Sequence, residues 1–184
     1  HVRPSATIAT AYTRKNPWQA PVLANIRLTG RESSKDVRHI ELSLEGSGIH
    51  YEPGDALGVV PRNQEAHVDA LFERLPFDPE AAVEIGGASM SLRTALTDQL
   101  DIGPLNRRVL ERYAELTAHA ALWKFLQTST EPQLDTVLRG FDLLELVAEY
   151  PPQGIGPEQL VKILRPLAQR LYSIASSPHA TPEE

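Results

Sequence analysis

The segment that decides the fold reads Arg170-Leu171-Tyr172-Ser173-Ile174-Ala175-Ser176-Ser177-Pro178. It follows a helix that Pro166 should end, because proline removes a backbone donor and crowds the preceding turn. We therefore expect an extended strand, in which side chains at alternate positions share a face. Arg170 and Tyr172 should then share the face that meets a ligand, and Leu171 should point into the protein.

This strand carries three groups that suit a flavin dinucleotide. The guanidinium of Arg170 offers forked donors that match a pyrophosphate. The ring of Tyr172 can lie flat on an isoalloxazine, and the hydroxyl of Ser173 can hydrogen-bond to its polar edge. Because a short Arg-x-Tyr-Ser pattern also occurs in ordinary edge strands, the interpretation depends on the rest of the chain.

The chain opens with strand patterns. Apolar residues alternate with polar ones in Val37–Leu44, and Val22–Leu28 and Ala56–Val60 are short apolar runs bounded by turn residues. Glycine, proline and serine between these runs favour tight turns. The opening part of the chain is therefore predicted to consist of antiparallel strands.

After residue 61 the apolar residues recur at helical spacing. Predicted N-caps are Asn63, Ser91 and Asn106, and Pro157 should open the last helix. Leu92, Leu96 and Leu100 should share one helix, Trp123 should pack in the core, and Gly86-Gly87 should form a turn. The pattern predicts an α-helical insertion between the opening strands and the strand that begins at Arg170.

Composition excludes several classes of function. The net charge of −6 argues against nucleic acid as a partner, since phosphate binding needs a basic surface. No apolar stretch is long enough to span a membrane. The absence of cysteine excludes disulfides and thiolate chemistry and is compatible with a cytoplasmic location. The six histidines lack metal-ligand spacing, so we expect no metal site.

Four blocks, in order, resemble the FAD-binding domain of the ferredoxin–NADP reductase superfamily. They are Thr29–Leu42, Tyr51–Pro61, Leu164–Leu167 and Arg170–Ser177. The resemblance is closest to the diflavin reductases, and among them to the flavoprotein subunits of bacterial NADPH–sulfite reductases. It implies an α+β fold: an antiparallel flavin-binding β-barrel, incomplete at the C-terminus, interrupted by an α-helical connecting subdomain.

The resemblance also implies a division of the chain. Residues 1–20 are expected to be a linker or the tail of a preceding module, and 21–61 the first part of the FAD-binding barrel. Residues 62–167 are expected to form the helical connecting subdomain. Residues 168–184 are expected to be the returning strand with the FAD motif, truncated before the barrel is complete.

By the same resemblance, Arg170 binds the FAD pyrophosphate, Tyr172 stacks on the isoalloxazine, and Ser173 sits beside flavin N5. The backbone of Leu171 shapes this site. Gly103 and Arg139 are placed near the adenine half of FAD, although a loop glycine and an ordinary helix end explain these two positions equally well. No residue of the chain is assigned a catalytic role.

In this family the full protein passes a hydride from NADPH to FAD and electrons through FMN to a haem–iron–sulfur subunit, which reduces sulfite to sulfide. We expect the FMN and NADPH domains to lie outside this sequence, so the chain alone should not turn over NADPH. Two alternatives remain open: a diflavin reductase with another haem acceptor, and a non-catalytic helical module that docks a partner through its apolar faces.

Overall fold

The structure, a computed structural model, describes residues 12–13 and 16–177. Most of the predicted linker at 1–20 and the end of the chain from Pro178 therefore lie outside the described residues. The chain separates into two compact units. Unit 1 contains the described residues up to Val60 together with those from Gln169 onward, and unit 2 is Pro61–Ala168.

The described residues form an α+β structure in which every paired strand is antiparallel. The strands are β1 (Val22–Arg27), β2 (Arg38–Leu42), β3 (Ala56–Val59), β4 (Ala82–Ile85), β5 (Ala88–Ser91), β6 (Leu100–Asp101), β7 (Arg165–Pro166) and β8 (Arg170–Ser173). The helices are α1 (Glu65–Phe72), α2 (Leu92–Thr94), α3 (Arg107–Thr117), α4 (Ala120–Thr128), α5 (Glu131–Leu138), α6 (Leu143–Glu149) and α7 (Pro157–Ile163). A π-helical segment, Ala95–Gln99, continues α2.

The described residues of unit 1 form two ribbons of two antiparallel strands each. Strand β1 pairs with β2, and its register shifts between Val22 and Ala24. Strand β3 pairs with β8, the last described strand. The apolar side chains of β1, β2 and β8 are largely exposed and those of β3 are only partly buried, so neither ribbon has a buried core of its own among the described residues.

Unit 2 contains the hydrophobic core. Every buried hydrophobic side chain of the described residues lies in this unit, from Val68 on α1 to Leu164 after α7. Tyr113 and Leu110 on α3 are fully buried, together with Leu122 on α4 and Leu146 on α6. Among the described residues, none of the helices has the length and apolar character needed to cross a lipid bilayer.

Local sequence signals explain where several helices begin. The side chain of Ser91 accepts a hydrogen bond from the backbone N–H of Thr94, and that of Asn106 accepts one from Val109, so both predicted N-caps are confirmed. Pro157 occupies the first turn of α7, as predicted. Gly86 and Gly87 both have positive φ and form the turn between β4 and β5.

The structure corrects three predictions made for unit 2. Asn63 does not cap α1, because the N-cap of that helix is Gln64. The side-chain amide of Asn63 instead donates to Leu96 O at 2.6 Å and to Leu100 O at 2.7 Å. Leu100 lies in strand β6 because the helical segment before it ends at Gln99. Trp123 is 42% exposed, since α4 directs Leu122 and Leu126 inward. The helical region also contains four short strands.

Candidate functional site

Strand β8 carries the predicted site and is held by β3. The register pairs Val59 with Arg170, Leu57 with Tyr172, and Ala56 with Ser173. Because alternate residues of a strand share a face, Arg170 and Tyr172 lie on one face of this ribbon, and Leu171 and Ser173 lie on the other. The structure therefore brings these four residues together on one short strand.

All four residues of β8 are exposed. Tyr172 is 54% exposed, so much of its ring is accessible to a ligand. The expectation that Leu171 points into the protein is wrong for the described residues, because its side chain is 70% exposed. The physical reason is that β3 and β8 form a two-stranded ribbon, with no other described strand paired beside them.

The chemistry of these side chains fits a flavin dinucleotide. Among residues 12–13 and 16–177, no carboxylate lies within ion-pair distance of the Arg170 guanidinium. Its forked donors are thus available to a pyrophosphate. The Tyr172 ring on the same face offers an aromatic surface two residues away.

Gly58 shapes the opposite face of the ribbon. A Cβ atom at this position would overlap the side-chain amide of Gln169, which lies over the glycine. Gly58 pairs with Leu171, and Gln169 immediately precedes β8. The glycine therefore allows the Gln169 side chain to lie flat across the ribbon, next to the predicted site.

The turn before β3 is tied to the residues after β8. Asp55 N–H donates to Glu52 O at 3.0 Å, and the Asp55 carboxylate accepts from Glu52 N–H at 2.9 Å, as expected for an Asp in a tight turn. Across the ribbon, Ile174 N–H donates to Asp55 O at 2.9 Å. The hydroxyl groups of Tyr51 and Ser176 lie 2.8 Å apart.

This Tyr51–Ser176 pair was not predicted from the sequence. Its members are separated by 125 positions, and no local pattern links them. The only available signal was that both residues lie within blocks that carry the family resemblance.

Gly103 and Arg139, the other predicted site residues, belong to unit 2. Leu105 N–H donates to Phe141 O at 2.9 Å, and Leu143 N–H donates to Ile102 O at 3.1 Å. The loop that contains Gly103 therefore runs beside the segment that follows Arg139. Arg139 itself is exposed and forms the C-cap of α5.

An acidic residue holds the Gly103 loop in place. The Asp101 carboxylate accepts from Gly103 N–H at 3.1 Å and from the Arg165 guanidinium at 2.9 Å. Arg165 also donates to Pro104 O at 3.2 Å. These bonds tie the loop to β7, the last strand of unit 2, and give its backbone a defined course.

Comparison with known proteins identifies the same family. A family model described as an FAD binding domain matches residues 10–184. The sulfite reductase [NADPH] flavoprotein alpha-component of Bacillus subtilis (strain 168) is 43% identical over 182 residues, covering 98% of this chain and 30% of that protein. The protein of the same name from Aliivibrio fischeri is 37% identical, and the match covers 97% of this chain. The one from Shewanella oneidensis is 38% identical, and the match covers 94% of this chain. This chain covers 29% of the length of each.

The chain thus spans about 30% of the length of the curated relatives it matches. The family match extends over nearly the whole sequence and includes both described units. It also includes strand β8, whose side chains fit the cofactor that the family description names. On this evidence the chain belongs to the FAD-binding domain family.

Proposed function

We propose that strand β8 binds FAD, with Arg170 on the pyrophosphate, Tyr172 stacked on the isoalloxazine and Ser173 hydrogen-bonded near its reactive edge. Ser173 lies on the other face of the ribbon, at the end of the strand, so its role and that of the Leu171 backbone rest on the family resemblance. The observation that carries this proposal is the shared, exposed face of Arg170 and Tyr172. The Tyr172 ring is exposed, and Arg170 beside it has no carboxylate partner among the described residues. Such a pair is suited to a ligand that is both aromatic and anionic.

We also propose that unit 1 is part of a flavin-binding β-barrel and that Pro61–Ala168 is the connecting subdomain inserted into it. The exposed apolar side chains of β1, β2 and β8 support the barrel, because such side chains are normally covered by neighbouring strands. The chain spans about 30% of the length of its relatives. We therefore propose that the strands completing this barrel lie in the rest of a longer flavoprotein. The assignment of Gly103 and Arg139 to the adenine half of FAD stays a prediction that rests on the resemblance.

In the longer protein we propose that this portion serves NADPH-dependent sulfite reduction together with an FMN domain and a haem–iron–sulfur partner subunit. FAD, when bound, supplies the acceptor for a hydride and the means to pass electrons onward. The role of this chain is to bind and orient the cofactor. The names of the relatives favour this acceptor over another haem protein. A cytoplasmic location stays a prediction.

Titration with FAD, followed by quenching of flavin fluorescence, tests the proposal. Tyr172→Ala should weaken binding about tenfold, because stacking contributes on the order of 1 kcal/mol beyond burial. Arg170→Ala should weaken it by at least as much, since a charge-assisted contact is lost. Tyr172→Phe keeps the ring, and Arg108→Ala removes an exposed arginine of α3, so both should bind as the parent does.

The titration is made on the chain and on the longer flavoprotein that contains it. We expect weak binding by the chain and tight binding by the longer protein. Equal affinities for the parent, Arg170→Ala and Tyr172→Ala in the longer protein would contradict the assignment of β8 as the cofactor strand.

A further inference from the structure

We propose that Tyr51 is a positioning residue for the flavin site and that it acts through Ser176. The inference rests on the proposed function of β8, because it concerns how that strand is held ready for FAD. Tyr51 does not belong to β8. It lies before the turn that leads into β3, the strand paired with β8.

The link between the two residues is a side-chain hydrogen bond between hydroxyl groups 2.8 Å apart, and both residues are half-buried. Partial burial makes such a bond more persistent than one on an open surface, because fewer water molecules compete for its atoms. Ser176 lies three positions after Ser173. The bond therefore restrains the chain just beyond the predicted site.

The backbone supplies a second attachment nearby. Ile174 N–H donates to Asp55 O, which extends the β3–β8 ladder one step past Ser173. Asp55 closes the turn over Glu52 through its own backbone and carboxylate. The segment after Ser173 is thus attached by its backbone at Ile174 and by its side chain at Ser176, and both attachments lead to the turn over Tyr51–Asp55.

These two attachments have different consequences for β8. The ladder bond sets the register of the strand, and the Tyr51 bond limits rotation of the segment that leaves it. Ser173 directly precedes this segment. The direction of the Ser173 hydroxyl group therefore depends on both the ladder bond and the Tyr51 bond. A group that is held in its binding direction before the ligand arrives loses less entropy on binding. Tyr51 therefore favours FAD binding without touching the cofactor.

The test compares Tyr51→Phe, Ser176→Ala and the double variant. Ser176→Thr is the matched control, because it keeps a hydroxyl at this position. FAD affinity is measured by fluorescence quenching, and the visible circular dichroism of bound flavin reports the surroundings of its ring. Each single variant should bind FAD about three- to tenfold more weakly, the usual effect of losing one hydrogen bond. The double variant should lose no more than the single variants, and Ser176→Thr should bind as the parent does.

Amide hydrogen exchange in the FAD-free chain gives a readout that does not depend on the cofactor. Tyr51→Phe and Ser176→Ala should speed exchange over 174–177 relative to the parent, whereas Ser176→Thr should not. Unchanged exchange in Tyr51→Phe would overturn the inference even if no FAD binding were measurable.

The two proposals fail in different ways. If Tyr172→Ala binds FAD as the parent does, the assignment of β8 is wrong. If Tyr172→Ala weakens binding while Tyr51→Phe leaves affinity and the flavin spectrum unchanged, β8 is the cofactor strand and Tyr51 has no positioning role. Additive losses in the double variant would likewise overturn the coupling through Ser176.

Discussion

At the residue scale, Asn63 shows how one polar side chain can connect distant backbone segments. Its amide donates to two carbonyl groups, Leu96 O within the π-helical segment and Leu100 O directly after it. The backbone N–H of Asn63 also donates to Thr97 O. This single residue therefore satisfies carbonyl groups that the irregular segment leaves without helical partners.

Replacing Asn63 by Ala should destabilise unit 2 by about 1–3 kcal/mol, because two partly buried carbonyl groups lose their donor. Asn63→Asp should cost at least as much, since a carboxylate cannot donate to them. The measurement is urea unfolding followed by Trp123 fluorescence in a Trp18→Phe background, where the signal comes from unit 2. Ser129→Ala, at the half-buried C-cap of α4, serves as the control. A loss below the error of the unfolding curves would contradict this role.

Two tyrosines of unit 2 predict a loss of stability at alkaline pH. Burial, followed by the hydrogen bond with Glu149, raises the pKa of Tyr150 from 10.0 to about 12, and burial raises the pKa of Tyr113. In the unfolded chain these hydroxyls ionise at a lower pH than in the folded unit. Their contribution to stability is therefore intact below pH 10 and is lost as the pH rises through the folded pKa.

The free energy of unfolding, measured by urea denaturation between pH 9 and pH 12, should stay level up to about pH 10 and fall above it. In Tyr150→Phe the fall should be shallower, because one ionising group is absent. Parallel curves for the parent and Tyr150→Phe would show that the Tyr150 hydroxyl titrates alike in the folded and unfolded states.

At the element scale, the turn before β3 controls how that strand meets β8. Gly54 has a φ of 98° and follows Pro53, and Asp55 N–H donates to Glu52 O. This is the arrangement of a type II turn, which needs a residue with positive φ in its third position. A turn of this kind places Asp55 O where it accepts from Ile174 N–H.

Gly54→Ala should strain this turn by about 1–2 kcal/mol, because a Cβ atom disfavours positive φ. The expected result is faster exchange of the Ile174 amide, by about five- to thirtyfold. Gly46→Ala is the matched control, since Gly46 also has positive φ but its turn makes no described bond to Ile174. Equal exchange of the Ile174 amide in both variants would show that the turn does not control this contact.

At the scale of the whole molecule, unit 2 has the features of an inserted domain. It contains every buried hydrophobic side chain of the described residues. Both of its ends attach to the same π-helical segment: Asn63 N–H donates to Thr97 O, and Leu167 N–H donates to Gln99 O. A unit whose ends lie close together can enter a connection between two strands without separating them. In unit 1, Val59 and Arg170 are likewise direct partners on β3 and β8.

Residues 61–168 should therefore fold alone. We expect helical circular dichroism and one cooperative urea transition, because the core lies within this segment. Leu110→Ala, at a buried position of α3, should lower the free energy of unfolding by about 2–5 kcal/mol. A broad transition with exposed hydrophobic surface would show instead that the core needs the rest of the chain.

Features that depend on neighbouring residues were predictable from the sequence. The caps at Ser91 and Asn106, the start of α7 at Pro157 and the glycine turn between β4 and β5 are confirmed, because each depends on bonds or backbone preferences within a few residues. Asn63 was misassigned because its best partners lie more than thirty positions away in the chain. The exposed side of Trp123 was missed because apolar residues occur on both faces of α4.

By itself, the sequence determined the strands that open the chain, most of the helices that follow, the α+β class and the tetrapeptide that carries the candidate flavin groups, but not the four short strands of unit 2. These follow from local periodicity, turn residues and the chemistry of single side chains. Only the tertiary structure decided that β8 pairs with β3, that Leu171 is exposed, and that Tyr51 meets Ser176. Pairing partners and burial depend on residues far apart in the chain, and their contacts form only when the folded backbone brings them together.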